Sequence, residues 1–223
     1  MPRQTRIDAP GALHHIIVRG IERRPIFRDD RDRDHFLERL AGILAETETP
    51  CYAWALIPNH VHLLLKTGLT PIATVMRRLL TGYAGYFNRR HRRHGHLFQN
   101  RYKSILCQEE AYFRELVRYI HLNPLRAKLV EEIKALDKYP YCGHSAILGS
   151  VRRNWQQVDY VLVSSARQNQ LLEELIVILS KRVSHRVEGM SLQVAGWCAA
   201  LADGQPSEIS GGVQYASKEM NEF

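Results

Sequence analysis

Two apolar runs joined by only two residues, Cys51–Ile57 and His60–Lys66 around Pro58-Asn59, constrain this chain more than any other feature. Short aliphatic runs bracketing a Pro-Asn turn predict an antiparallel β-hairpin. Alternate side chains of a strand point to opposite faces, so His60 and His62 share a face while Val61 points into a core. Two imidazoles held side by side can ligate one metal ion through their ring nitrogens. For a bare His-x-His, a pair of histidines on the solvated face of an ordinary strand is the commoner explanation, by roughly three to one. The rest of the chain has to decide between the two.

The flanking sequence alternates strand and helix patterns. Leu13–Arg19 is rich in β-branched residues and stops at Gly20, which predicts a first strand. Its adjacent histidines, His14 and His15, must face opposite sides of a sheet, so at most one of them approaches the His60–His62 pair. Asp29 or Asp30 can cap a helix running to about Ala45, with Phe36, Leu37, Leu40, Ile43 and Leu44 as its apolar stripe. Thr70-Pro71 reads as cap and first position of a second helix, in which Ile72, Val75, Met76, Leu79, Leu80, Tyr83 and Phe87 recur at spacings of three and four. Leu97–Leu106 reads as a strand with Gln99, Arg101 and Lys103 on one face and Phe98 and Tyr102 on the other. A helix from Glu109-Glu110 has the stripe Phe113, Leu116, Val117 and Ile120. At about 100° per residue, Tyr119 and Asn123 lie on one flank of that stripe and His121 on the other. A flank position lets a tyrosine hydroxyl leave the core and meet a neighbouring sheet, although an amphipathic packing residue sits there equally well. Asn123-Pro124 also fits the cap and first residue of a following helix.

Beyond Tyr139-Pro140-Tyr141 the pattern weakens. Helices are expected over residues 171–183 and 191–202, followed by a loosely ordered end rich in Gly, Ser and Glu from Gly204. The expected organisation is therefore a domain over residues 1–150 and a helical tail over residues 151–223.

Charge divides the chain in the same way. Residues 1–150 carry 24 Lys and Arg against 15 Asp and Glu, a net of +9, whereas residues 151–223 carry 7 against 8. A basic first part points to a polyanion, with nucleic acid the default. Arginine far outnumbers lysine, which suits bidentate phosphate contacts and stacking on bases. The candidate DNA contacts are Arg23 and Arg24 in the loop after Gly20, and Arg89, Arg90, Arg92 and Arg93 in the densest basic cluster. Gln99, Arg101 and Lys103 complete the set on a strand face. Tyr86, Phe87 and Phe98 flank the cluster, and cations interleaved with aromatic rings suit a single strand. A solvated helix end is the alternative there. Cys51, Cys107, Cys142 and Cys198 are scattered without a C-x-x-C pair, as expected of reduced thiols. The first residues form no apolar leader and no run is long enough to span a membrane, so a cytoplasmic protein is expected.

Pro58-Asn59-His60-Val61-His62-Leu63-Leu64 and Arg118-Tyr119-Ile120-His121-Leu122-Asn123-Pro124-Leu125-Arg126-Ala127 together resemble the REP-associated tyrosine transposases, within the insertion-sequence-200-like branch of the His-hydrophobic-His superfamily. Arg19-Gly20, Ile26-Phe27, Leu97 to Ser104 and Tyr139-Pro140 are similar to the family's intervening landmarks. The resemblance covers about residues 10–150 and reverses the odds on the histidine pair.

It implies an α+β fold, a ferredoxin-like antiparallel sheet with helices packed on it, followed here by the short helical C-terminal tail. It also implies a metal-dependent single-stranded DNA endonuclease and strand transferase acting on hairpin DNA through a 5′-phosphotyrosine. By position, His60 and His62 match the metal pair for Mg²⁺ or Mn²⁺, and Tyr119 matches the nucleophile. Related enzymes place a glutamine four residues after the tyrosine as third ligand; that position is Asn123 here, with a shorter side chain. The implied partner is single-stranded or hairpin DNA, and a homodimer is compatible with the sequence. A catalytically idle DNA-binding regulator that recognises repeat hairpins is the alternative. A zinc hydrolase is a weaker one, because no His-Glu-x-x-His helix accompanies the pair.

Overall fold

A computed structural model describes residues 8–107 and 110–166; the helices expected over 171–183 and 191–202, and the loose end after them, lie outside the described residues. The described elements are β1 (Leu13–Arg19), α1 (Asp30–Thr47), β2 (Cys51–Ile57), β3 (His60–Lys66), α2 (Ile72–Arg90), β4 (Lys103–Cys107) and α3 (Glu110–Arg126). The shorter α4 (Ile133–Leu136), α5 (Gly143–Ile147) and α6 (Val158–Ala166) follow. The strands form one sheet in the order β2-β3-β1-β4, with every neighbouring pair antiparallel. A β-α-β-β-α-β chain that places β1 and β3 at the centre is the ferredoxin-like arrangement, as the resemblance implied.

Alternation along the strands sorts side chains between two separate cores. Ile16, Val18, Trp54, Leu56, Val61, Leu63 and Leu65 face α1 and α2, where they meet Phe36, Leu40, Val75, Leu79 and Tyr83. Ala53, Ala55, Leu64 and Cys107 face the other way, onto Phe113, Leu116, Val117 and Ile120 of α3. Both faces are therefore covered, and full burial of β2 follows from that. Burying an aliphatic or aromatic side chain of this size contributes about 1.5–3 kcal/mol, so these two layers dominate stability over surface ion pairs worth about 0–1 kcal/mol.

The helix starts show how local signals are redirected by the fold. Asp29 caps α1 by accepting from the Asp32 backbone N–H (3.1 Å). At α2, Pro71 rather than Thr70 occupies the cap, and a proline has no side-chain acceptor. Asp8 replaces it from a distance, accepting from the backbone N–H groups of Ile72 (3.1 Å) and Ala73 (3.0 Å).

The expected strand over Leu97–Leu106 is shorter in the structure, where β4 begins at Lys103. The ladder between β1 and β4 ends at the Ile17–Lys103 pair. Past it the chain bows out and meets β1's continuation again at the antiparallel bridge of Gly20 with Phe98. Buried Leu97 and Tyr102 anchor that bow in the core beneath α1 and α2. Gln99 and Arg101 consequently lie in exposed bends and share no strand face with Lys103.

Residues following Ser150 pack on the same body. Gln156 accepts from the Trp54 indole N–H (2.8 Å) and donates to the carbonyls of Tyr52 (3.3 Å) and Gly143 (3.2 Å). Val161 of α6 is buried against the α3 layer.

The start of α1 is bolted to the end of α2 by one carboxylate. Asp32 is fully buried and accepts from the Arg28 backbone N–H (2.9 Å), from His91 Nε2 (2.9 Å) and from the Arg90 guanidinium. The same guanidinium binds Asp29 (2.7 Å), so Arg90, expected among the DNA contacts, is engaged inside the fold. Removing one partner of a buried ionic cluster strands the others without water. Asp32→Ala is therefore expected to lower the urea unfolding midpoint far more than Arg78→Ala, whose pair with Glu46 lies at the surface; equal midpoints would contradict the bolt.

Candidate functional site

Register brings the polar residues of the α3-facing side together. In the β1–β3 ladder Arg19 lies opposite His60 and Ile17 opposite His62, and in the β1–β4 ladder Ile105 lies opposite His15. Directly opposed residues of an antiparallel pair share a face. His15, Arg19, His60, His62 and Lys103 thus stand on one side of the sheet, under α3. His14 goes to the other side, where its Nδ1 meets the Ser104 hydroxyl at 3.1 Å. Of the adjacent histidines, His15 is the one that reaches the pair.

The rings form a compact group. His60 and His62 lie 5.0 Å apart, edge to face, and His15 stacks on His62 at 5.2 Å. Tyr119 descends from α3 with its ring edge-on to both His62 (5.7 Å) and His15 (6.0 Å). The helical periodicity explains the placement: Phe113, Leu116, Val117 and Ile120 are buried, while Tyr119 on the flank of that stripe keeps partial exposure. Arg126, two turns further along the same flank, sits 4.9 Å over the Tyr119 ring.

Asn123 keeps its expected flank but has a different local role. Helix α3 continues through Pro124 to Arg126, so Asn123 caps no new helix. Pro124 cannot donate to the Ile120 carbonyl, and the Asn123 side-chain amide does so instead (3.5 Å) while also donating to the Tyr119 carbonyl (2.8 Å). Both contacts use Nδ2. His121 lies on the far flank, buried edge-on to His144 (6.2 Å), where a Cβ on Gly143 would meet its Nε2 at 2.6 Å.

Burial sets the charge state of the rings. It holds His60 down at about 4, helped by the Arg19 guanidinium, and His15 at about 3, helped by Lys103. His62 lies well below the ordinary histidine range for the same first reason, reinforced by His15, His60 and the two arginines. All three are neutral at physiological pH and carry a ring lone pair. Burial raises the Tyr119 phenol, and Arg126 and then Arg19 oppose that rise. Among the described residues no group of three or more His, Cys, Asp or Glu is arranged to hold a metal. The donors the sheet supplies are the neutral imidazoles of His60 and His62, the chemistry a hard-to-intermediate divalent ion accepts when further oxygens and water complete its shell.

The cationic candidates separate into engaged and exposed sets. Arg23 and Arg24 sit in the tight turn after Gly20, where a Cβ would meet the Arg24 carbonyl at 2.1 Å, so only glycine lets the turn fold back there. Arg24 makes an exposed pair with Glu22 (2.7 Å). Arg93 braces its own loop through Asn88 (3.2 Å) and the His96 carbonyl (3.2 Å). Arg89, Arg92, Gln99 and Arg101 are exposed. The loop of Gln99 adjoins β1 through the Gln99 N–H donated to the Arg19 carbonyl (3.0 Å), beside the His60 end of the sheet. Sequence reasoning singled out His60, His62, Tyr119 and Asn123 but gave no site role to Arg19, Arg126 or Asn59. The two arginines carried a local signal, Arg19 falling four residues after His15 on the same face of a strand and Arg126 seven residues after Tyr119 along a helix.

The ferredoxin-like sheet thus carries histidines and a helix-borne tyrosine on one face. The family description "Transposase IS200 like" matches residues 10–123, just over half the chain, and the protein belongs to that family. Among solved structures, a REP-associated tyrosine transposase bound to a REP hairpin is similar with a TM-score of 0.55 at 17% identity, covering 71% of this chain and 90% of that one. A candidate transposase from Deinococcus radiodurans is also similar, at 20% identity with a TM-score of 0.38, covering 53% of this chain and 95% of that one. No curated protein matches the sequence. No helix among the described residues is long and apolar enough to cross a membrane.

The Asn123 brace has a measurable consequence. Asn123→Ala is expected to cost about 1 kcal/mol of stability, the net value of a buried hydrogen bond. The loss should shrink in a Pro124→Ala background, where a backbone N–H returns to the Ile120 carbonyl; equal losses by denaturant titration would refute the brace.

Proposed function

We propose that the chain is a REP-type tyrosine transposase that nicks and rejoins single-stranded or hairpin DNA with Tyr119 as nucleophile. The observation that carries this reading is the Tyr119 ring lying edge-on to His62 at 5.7 Å, delivered by a helix on the histidine face of the sheet. In the proposed step the Tyr119 oxygen forms a bond to a DNA phosphorus and the bond from phosphorus to the 3′ oxygen breaks. The phenol loses its proton and the departing 3′ oxygen gains one, leaving a 5′-phosphotyrosine and a free 3′-hydroxyl. Rejoining is the reverse attack by a 3′-hydroxyl.

A phenol with a raised pKa is a poor nucleophile, so the site must favour both the phenolate and the incoming phosphate. Arg126 over the ring and Arg19 beside His60 supply positive charge at both places. His60 and His62, with Asn123 Oδ1 as a third donor, would hold a divalent cation, Mg²⁺ or Mn²⁺. When bound, that ion supplies Lewis-acid polarisation of a phosphate oxygen. Arg23, Arg24, Arg89, Arg92 and Arg101 are exposed and suit contacts with flanking phosphates.

Tyr119→Phe is expected to keep the fold and hairpin affinity while abolishing cleavage, because the ring remains and the attacking oxygen does not. Wild-type protein incubated with Mn²⁺ and a labelled hairpin should form a denaturation-resistant adduct, located on Tyr119 by peptide mass spectrometry. Cleavage without an adduct would replace this reading with a water-using nuclease. Hairpin binding with neither adduct nor cleavage would replace it with the idle regulator.

His60→Ala with His62→Ala should abolish cleavage and Mn²⁺ binding while leaving the circular dichroism spectrum unchanged. Retained cleavage would sink the metal assignment. Hairpin affinity of the full chain should fall steeply with salt as basic side chains lose the advantage of counterion release; a flat dependence in filter binding would remove the phosphate contacts.

A further inference from the structure

Each of the two strand histidines has its inner ring nitrogen tied to a different neighbour. His60 Nδ1 lies 2.7 Å from Asn59 Oδ1, and His62 Nδ1 lies 2.9 Å from His15 Nε2. We propose that Asn59 and His15 are the positioning residues of the metal site, each accepting the Nδ1–H of one histidine so that both present a bare Nε2 to a divalent cation. This inference rests on the metal reading of His60 and His62 above.

The direction of the first bond follows from what Asn59 does with its other atom. Asn59 Nδ2 donates to the Arg23 carbonyl (3.2 Å), which can only accept. The atom facing His60 is then the amide oxygen, also only an acceptor, so His60 Nδ1 must carry the proton. A neutral imidazole holds one ring proton, and Nε2 is left with its lone pair. The geometry alone thus sets the tautomer of His60 without reference to a ligand.

The second bond completes a matching pair. A cation on His62 Nε2 requires the proton at Nδ1, and among the described residues the group within hydrogen-bond distance there is His15 Nε2, which accepts it. His15 is buried to 2% exposure and stacked on His62, so its ring is held in place by packing as well. Metal-bound histidines characteristically donate their second N–H to an oriented acceptor, which fixes tautomer and ring angle and makes the ligand more basic. Here the two acceptors differ in kind. His15 belongs to the central strand β1, whereas Asn59 belongs to the β2–β3 turn and is tied to the Arg23 turn. The Asn59 backbone carbonyl reinforces that tie by accepting from the Gly20 N–H (2.9 Å). Asn59 therefore couples the aim of His60 to the loop that carries Arg23 and Arg24.

The test is Mn²⁺ affinity, read as free ion by electron paramagnetic resonance on the full chain without DNA, with circular dichroism as the check of folding. His15→Phe keeps a ring of similar size but has no acceptor, and Asn59→Ala removes the amide. Each is expected to weaken Mn²⁺ binding by about 10–100-fold. His15→Gln and Asn59→Asp restore an acceptor oxygen near the lost atom and should recover most of the affinity, which loss of packing alone would not allow. Wild-type affinity in both His15→Phe and Asn59→Ala, with binding abolished in the His60→Ala/His62→Ala protein, would overturn this inference and leave the metal site standing. Absence of Mn²⁺ binding by the wild-type protein would overturn the metal reading and this inference with it. Should His15→Phe fail to fold, the Asn59→Ala and Asn59→Asp pair decides, since that side chain lies in the partly exposed β2–β3 turn; equal affinities in the two would overturn the proposal.

Discussion

The pairing of β1 with β3 sets every other feature of the site. With Arg19 opposite His60 and Ile17 opposite His62, the apolar residues Ile16, Val18, Val61 and Leu63 all turn toward α1 and α2. A slip of one residue in either strand would exchange the two faces, burying histidines in the aliphatic layer and placing isoleucine and valine under α3. The hydrophobic layer under α1 and α2 therefore enforces the histidine arrangement on the other side. Asp32 supports that layer from the rim by holding α1 and α2 together.

On the opposite face the constraint is electrostatic. Imidazoles packed under a helix lose most of their hydration, so the neutral form wins and their lone pairs become available. Positive charge enters from the margins, through Arg19 at the end of β1, Lys103 at the start of β4 and Arg126 at the end of α3, and the two arginines act on Tyr119. A phosphate brings the negative charge that such a surface lacks. Tyr119 occupies the boundary between the apolar centre of α3 and this margin, where its ring is packed and its flank position keeps partial exposure.

Basic residues do two different jobs. Arg90 and His91 close a buried carboxylate cluster and Arg93 ties a loop, whereas Arg23, Arg89, Arg92 and Arg101 stand in solvent. The difference follows from where α2 ends. Arg90 lies on the side of the last turn that meets α1, one position before the chain turns outward, and the buried Asp32 captures it because an unpaired carboxylate there would be costly. Density of charge in the sequence located the basic edge of the molecule, but not which of its members can leave their partners for a phosphate.

The local sequence determined the elements whose information is local. The β2–β3 hairpin follows from two apolar runs around Pro58-Asn59, β1 follows from its β-branched run, and the flank shared by Tyr119 and Asn123 follows from helical period alone. Tertiary structure decided the rest because it depends on partners distant in sequence. Asp8 took the capping role at α2 that Thr70 was expected to fill, and the end of the β1 ladder cut β4 short, separating Gln99 and Arg101 from Lys103. Which of His14 and His15 joins the site was equally undecided locally, since alternation fixes that they diverge but not which face a helix will cover. Packing of α3 on the His15 side settled it, and only then did His15 come within hydrogen-bond distance of His62.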